Sequence, residues 1–372
     1  MRYFLIAGEA SGDLHGANLM QALRNQDAEA EFVFLGGDRM KAVGGQQVKD
    51  YREMAFMGIV NVVRNLDKVM RNFRDCEEAL LETRPDVVIL IDYPSFNLRV
   101  AKWVKAHLNI PVYFYIAPKL WAWKSWRIKS IKKYIDEMFT IFPFETQYFA
   151  SKGYPVHYVG NPIVDAVEQY REHRTPHSVQ PTIALLAGSR RQEIKGCLLT
   201  MVEAARQFPE YHLVVTMAPA IDESFYREIL TDHPDIMLTR NTYEAVETAT
   251  AAVVNSGTAT LETALLRTPQ VIVYHVIGGR FASLLRRLLI KIPYISLVNL
   301  ISERETAKEL IAHHFTKENI ARELKQILYN PTAREQMLSD YDEIAEKLGG
   351  TGTAERASKA IIEAVNNSSK KK

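Results

Sequence analysis

Cysteine is nearly absent from this chain. Cys76 and Cys197 are the only two in 372 residues, too few and too far apart for a disulfide framework or a zinc site. Lone cysteines of this kind fit a reducing cytosol, where they are usually buried small hydrophobes. A charge excess is also missing. Lys and Arg number 46 against 44 Asp and Glu, a formal net charge of +2, which argues against a general polyanion binder and against nucleic acid as a partner. No apolar run reaches the length of a membrane-spanning helix. The N-terminal MRYFLIAGEASGD enters a strand at once, without the apolar core and cleavage site of a signal peptide. The polar tail at 366–372 is expected to be disordered. What remains is 47% hydrophobic and 24% charged, an ordinary globular balance, and the length suggests two domains.

The stretch 85–97, PDVVILIDYPSFN, organises the chain. Val87 to Ile91 is an unbroken apolar run, mostly β-branched, and reads as a strand buried on both faces. Asp92 ends it, and Pro94 forbids the ladder to continue. Sites in open α/β sheets gather outside the carboxyl ends of the strands. Asp92 is therefore placed for a general base, although an Asp here also suits a helix cap or a turn.

Two further stretches pair a strand with a loop of small residues. Residues 3–7 lead into Gly8-Glu9-Ala10-Ser11-Gly12-Asp13 and then a helix. Small residues admit close backbone approach, and a helix start offers N–H groups to an anion. This is not a dinucleotide fingerprint, and a plain βα turn reads equally well. After the polar, proline-bearing residues 171–181 the pattern restarts: strand 182–186, loop Gly188-Ser189-Arg190-Arg191, helix. A later strand, 251–254, runs into Asn255-Ser256-Gly257-Thr258-Ala259-Thr260-Leu261-Glu262. Small hydroxyl residues at that helix start suit a phosphate. Glu262 can take two vicinal ribose hydroxyls, or merely complement the helix dipole.

Charge is locally uneven. Residues 57–74 carry Val62, Val63, Leu66, Val69 and Met70 at helical spacing, with four cations against Asp67, a local +3. Residues 279–291 pair a second apolar stripe with Arg280, Arg286, Arg287 and Lys291, a local +4. Such stripes are commonly core, but a basic amphipathic helix can also lie on an anionic membrane. Residues 119–133 hold six Lys and Arg, no acid, and Trp121, Trp123 and Trp126 between them. The pattern admits nucleic acid, an anionic lipid surface or a phosphorylated substrate. Asp340-Tyr341-Asp342 has the form of a metal-binding D-x-D but sits in a polar helical stretch, and reads as a solvated face.

Two similar α/β halves suggest a ligand held between them, as in GT-B nucleotide-sugar transferases. The GEASGD loop, Met57-Gly58-Ile59, the ID-P-FN pattern around Asp92, Trp121-Ala122-Trp123, FPFE at 142–145, the GSR loop and SGTATLE, in this order over nearly the whole chain, resemble lipid-A-disaccharide synthase. The resemblance implies two Rossmann-like domains with parallel sheets facing a cleft. They would cover about 1–168, for the acceptor and membrane, and 169–345, for the UDP-sugar, with 346–372 crossing back. It implies transfer of 2,3-diacylglucosamine from UDP-2,3-diacylglucosamine to 2,3-diacylglucosamine 1-phosphate, giving a β-1,6 disaccharide 1-phosphate and UDP in the lipid A pathway of Gram-negative bacteria.

Residue by residue, the resemblance makes Asp92 the base and Arg190 a diphosphate contact. Gly188, Ser189, Ser256, Gly257, Thr258 and Ala259 become the UDP cradle, with Glu262 on the ribose and Asn299 near the donor. Gly8, Glu9, Ser11, Gly12 and Asp13 would line the acceptor loop. Val62, Val63, Leu66, Val69 and Met70 would touch an anionic membrane, with the protein cytoplasmic and peripheral to the inner membrane. No metal or other cofactor is expected, and the family includes dimers that exchange C-terminal parts. Ser95 stands where the family often has Asp, His15 replaces an apolar residue, and His275 stands where a basic residue is common. The rival readings are another GT-B enzyme on UDP-GlcNAc, an epimerase or a peptidoglycan-type transferase, and a non-enzymatic nucleotide-binding module at the membrane.

Overall fold

The computed structural model describes residues 1–54, 66–122, 124–174, 181–275 and 293–369. They divide into two compact units, Met1–Pro162 with Thr351–Lys372, and Ile163–Gly350. The borders expected near 168 and 345 would cut the helices Pro162–His173 and Pro331–Leu348. The units divide close to helix ends, at Pro162 and at Gly350.

The first unit is built on β1 (Arg2–Ala7), β2 (Glu31–Gly36), β3 (Gln46–Asp50), β4 (Val87–Ile91), β5 (Val112–Tyr115), β6 (Glu137–Thr140) and β7 (His157–Tyr158), in the order β3-β2-β1-β4-β5-β6-β7. All pairings in it are parallel. The second unit holds β8 (Thr182–Leu186), β9 (His212–Thr216), β10 (Met237–Thr239), β11 (Ala251–Asn255), β12 (Gln270–Tyr274) and β13 (Glu309–Ile311), in the order β10-β9-β8-β11-β12-β13, also parallel. In each sheet the chain winds outward from its first strand, then returns to wind the other way. This leaves a switch point between β1 and β4, and another between β8 and β11. Ala7 is paired with Ile91, and Leu186 with Val254. Loops leaving the paired strands are thus brought side by side.

Every side chain of β4 is fully buried. Val88 and Leu90 pack with Phe4 and Ile6 on one face, and Val87, Ile89 and Ile91 with Tyr3 and Leu5 on the other. A parallel strand covered on both faces needs this unbroken apolar run. The helix Thr353–Ser369 supplies Ala357, Ile361 and Val365 to the second face, beside Leu19, Met20 and Leu23 of the helix Ala10–Gln26. The C-terminal segment therefore completes the core of the first unit.

Val62 and Val63 lie outside the described residues, as do the side chain of Leu66 and all of 279–291. Val69 and Met70 belong to the helix Leu66–Thr83, Val69 half-buried and Met70 39% exposed, while Phe73 one turn on is core. Asp340 is not a solvated residue. It is only 5% exposed and accepts from Arg304 at 2.6 Å, while Asp342 pairs with Arg267. Both carboxylates of the D-x-D are thus spent on arginines.

Candidate functional site

In the first unit the switch point brings the loop after β1 against the turn after β4. Asp92 and Tyr93 both have left-handed backbone, with φ of +44° and +46°. Such a conformation costs a non-glycine residue on the order of 1–3 kcal/mol and persists only where neighbours impose it. Here they do. Asp92 N donates to Tyr115 O at 3.2 Å. Asn97 Nδ2 donates to the carbonyls of Asp92 at 2.6 Å and Ile91 at 3.3 Å. Tyr93 Oη donates to Met54 O at 3.1 Å. Burial raises the pKa of Asp92, opposed by the charge of Lys119 and by a backbone hydrogen bond at Tyr93. A raised carboxylate pKa at a strand end is the environment of a general base.

Of the first loop, Gly8 packs against Tyr93, Glu9 is half-buried and Ser11 is exposed. Gly12 is buried, 3.3 Å from Ala7 Cβ for any side chain placed there. The Asp13 carboxylate is engaged within the unit. It is 4% exposed and accepts from the N–H groups of Gly37 at 2.7 Å, and Arg39 and Met40 at 3.1 Å. It thereby caps the helix Asp38–Val43.

In the second unit the GSR loop and the start of the helix Thr258–Leu265 meet at the other switch point. Gly188 has φ +117°, and a β-carbon there would come within 2.9 Å of Asn255 Nδ2 and 2.7 Å of Glu193 Oε2. Glu193 accepts from Ser189 N at 3.0 Å, Arg190 N at 3.3 Å and the Arg190 guanidinium at 3.2 Å. A carboxylate thus already sits on the N–H groups that an anion would use. Arg190 itself is largely exposed, as are Ser189, Gly257 and Thr258, with Ala259 half-buried behind them. Glu262 accepts from Tyr243 Oη at 3.1 Å. Burial raises its pKa, and that hydrogen bond opposes the rise.

Asn299 was expected near the donor. It is fully buried, and its amide is consumed internally. Nδ2 donates to Ala307 O at 2.8 Å and Glu309 Oε1 at 3.0 Å, and Oδ1 accepts from Ala307 N at 3.0 Å. Glu309 also accepts from the N–H groups of Ile295 and Ser296 and from Ser296 Oγ at 2.7 Å. Ser256 Oγ donates to Ile295 O at 3.4 Å. Asn299 is therefore tied to Ser256 through Glu309 and the 295–296 turn.

Tyr93, Asn97, Tyr243, Glu193 and Glu309 were given no role by sequence, although Asn97 closes the ID-P-FN pattern. Glu193 is the third residue of the helix Arg191–Ala205, and its N-cap is Arg190 rather than Ser or Thr, so the usual capping-box spacing does not flag it. Among the described residues no group of His, Cys, Asp and Glu is gathered as a metal cage requires. A cavity of about 530 Å³ beside the edge strand β10, lined by Arg206, Tyr211, His212 and Met237, contains none of these site residues.

The fold has known parallels. The UDP-GlcNAc 2-epimerase from Neisseria meningitidis bound to UDP-GlcNAc superposes with a TM-score of 0.61 at 14% identity, covering 99% of this chain and 100% of that one. The calicheamicin glycosyltransferase CalG4 gives 0.58 at 15%, covering 98% of each. At such identities they share the GT-B type fold alone. Sequence goes further. The lipid-A-disaccharide synthase of Myxococcus xanthus (strain DK1622) is 38% identical over 378 residues, 97% of each chain. The lipid-A-disaccharide synthetase family model matches residues 3–364, and the chain belongs to that family.

Proposed function

We propose that this enzyme transfers 2,3-diacylglucosamine from UDP-2,3-diacylglucosamine to 2,3-diacylglucosamine 1-phosphate. The observation that carries the reading to residues is Asp92: a half-buried carboxylate with raised pKa on a strained turn at the β1–β4 switch point. Asp92 takes the proton of the acceptor 6-hydroxyl as O6 bonds to the donor anomeric carbon. The bond from that carbon to the diphosphate breaks, and its electron pair leaves with UDP. An α-linked donor then gives a β-linked product in a single displacement.

Developing charge on UDP is met by Arg190 and by the N–H groups at Gly188-Ser189 and Ser256-Gly257-Thr258-Ala259. Glu262, held by Tyr243, takes the ribose hydroxyls. Gly8, Glu9, Ser11 and Gly12 border the acceptor beside Asp92.

Acylated substrates keep their chains in a bilayer, since leaving it carries a large hydrophobic cost. No helix among the described residues is long and apolar enough to cross a membrane. The enzyme accordingly docks peripherally on an anionic inner-membrane surface, with Val69 and exposed Met70 on the helix Leu66–Thr83 among the contacts. Binding to anionic vesicles weakens with salt. The test is UDP release with acylated and unacylated UDP-glucosamine donors in the presence of the lipid acceptor. Turnover restricted to the acylated donor supports the reading. Turnover of UDP-GlcNAc without the acceptor would replace it by the epimerase alternative.

A further inference from the structure

Arg127 is a half-buried cation with no acid beside it among the described residues. It closes the short 3-10 turn Ser125–Arg127 after β5. Among the described residues its guanidinium meets no carboxylate. Its Nη2 donates instead to the neutral Oγ of Ser95, at 2.8 Å. Burial alone acts on Arg127, and it lowers the pKa. Arg52 and Arg304 show the opposite behaviour, raised by the carboxylates they pair with. Lys124 is near enough for the charge of Arg127 to act on it. Two cations are thus gathered with no acid acting on Arg127, an arrangement that costs free energy until an anion arrives.

The location narrows that anion. Ser95 is exposed and lies in the first turn of the helix Pro94–His107, three residues after the base. Lys119, also exposed, is close enough for its charge to act on Asp92. Trp126, 67% exposed, presents an indole next to Arg127 in the chain. A planar guanidinium beside a hydroxyl matches the geometry of a phosphomonoester, which accepts from both.

We propose that Arg127 and Ser95 bind the phosphomonoester of the acceptor sugar, anchoring it beside Asp92. The site selects a glucosamine 1-phosphate over the sugar without phosphate. This rests on the reading of Asp92 as base and of a phosphorylated acceptor. The same phosphate chemistry occurs in anionic lipid headgroups, so the experiment separates the two sources.

Steady-state UDP release is measured in neutral detergent micelles, with the 1-phosphate acceptor and with the same lipid lacking the phosphate. Wild-type enzyme should prefer the phosphorylated acceptor. Arg127→Gln should raise KM for that acceptor roughly ten- to a hundred-fold, the worth of one charge-assisted contact. KM for the donor and for the unphosphorylated acceptor should stay unchanged. Arg127→Lys should restore part of the preference, and Lys132→Gln, which removes a charge from the neighbouring helix, should leave it intact. Equal losses with both acceptors, or no change with either, would overturn the site. So would an effect that vanishes in neutral micelles and returns only with anionic lipid, which would assign Arg127 to the membrane surface. If the wild-type enzyme releases no UDP with either acceptor, the proposed reaction fails first. Absence of phosphate preference in an active wild type sinks this site alone.

Discussion

Gly8 and Tyr93 are in such close contact that a β-carbon on Gly8 would lie 2.3 Å from the Tyr93 ring. The glycine loop after β1 and the turn bearing Asp92 are therefore one packed unit. Gly8→Ala must displace the ring, which is tied to Met54 O through its hydroxyl. The substitution should lower turnover at least about tenfold, since small misplacements of a catalytic group are costly. UDP affinity, which the proposal assigns to the second unit, should be retained. Unchanged turnover in a folded Gly8→Ala enzyme would show that the turn tolerates displacement.

Glu262→Gln and Arg190→Ala should each weaken UDP binding measured by calorimetry, because each removes a proposed charge-assisted contact of roughly 1.5–3 kcal/mol. Tyr243→Phe removes the hydrogen bond that opposes the raised Glu262 pKa. It should weaken UDP less than Glu262→Gln does. Affinity unchanged in all three would move the nucleotide away from this switch point.

Asn299→Ala should act first on stability. It leaves the N–H and C=O of buried Ala307 without these hydrogen bonds and takes one donor from Glu309. The expected loss is about 2–4 kcal/mol, since each buried orphan costs about 1–3 kcal/mol. It is read as a lowered Tm and as UDP affinity that falls with it. A normal Tm with turnover abolished would return Asn299 to direct contact with the donor.

Glu145 is fully buried, accepts from Trp121 Nε1 at 3.0 Å, and burial pushes its pKa from 4.5 up to about 8. Between those values the folded chain holds a proton that the unfolded chain has lost. Stability is therefore greatest below pH 4.5 for this group and falls as pH rises towards 8. Glu145→Gln should remove that slope, so its melting profile between pH 5 and 8 is flatter than that of the wild type. Parallel profiles would show that Glu145 does not titrate in this window.

Much of this was legible from local pattern. The apolar run of β4 announces a doubly covered strand, and its end announces Asp92, because period and length determine both. The repeated strand and glycine loop at Gly8 and Gly188 announces two units of one kind. What stayed hidden depends on tertiary partners. Asp13 looks like a loop carboxylate until the N–H groups of Gly37, Arg39 and Met40 are seen to surround it. Asp340 looks solvated until Arg304 arrives from 36 positions away. Asn97 closes the ID-P-FN pattern, but its grip on the carbonyls of Ile91 and Asp92 shows only in the fold, and Glu309 lies outside every quoted motif.

The most direct test is turnover by Asp92→Asn, which keeps size and polarity but removes the base. A positioned base contributes ~10²–10⁴-fold. The folded variant should therefore lose at least about a hundredfold in kcat with KM for the donor retained. The acid limb of the wild-type pH profile should lie above the ordinary aspartate range, because ionised base is lost as pH falls through a raised pKa. That limb should vanish in the variant. A folded Asp92→Asn enzyme that keeps more than about a tenth of wild-type kcat, far short of the loss expected for a base, or that keeps the limb, would contradict the account.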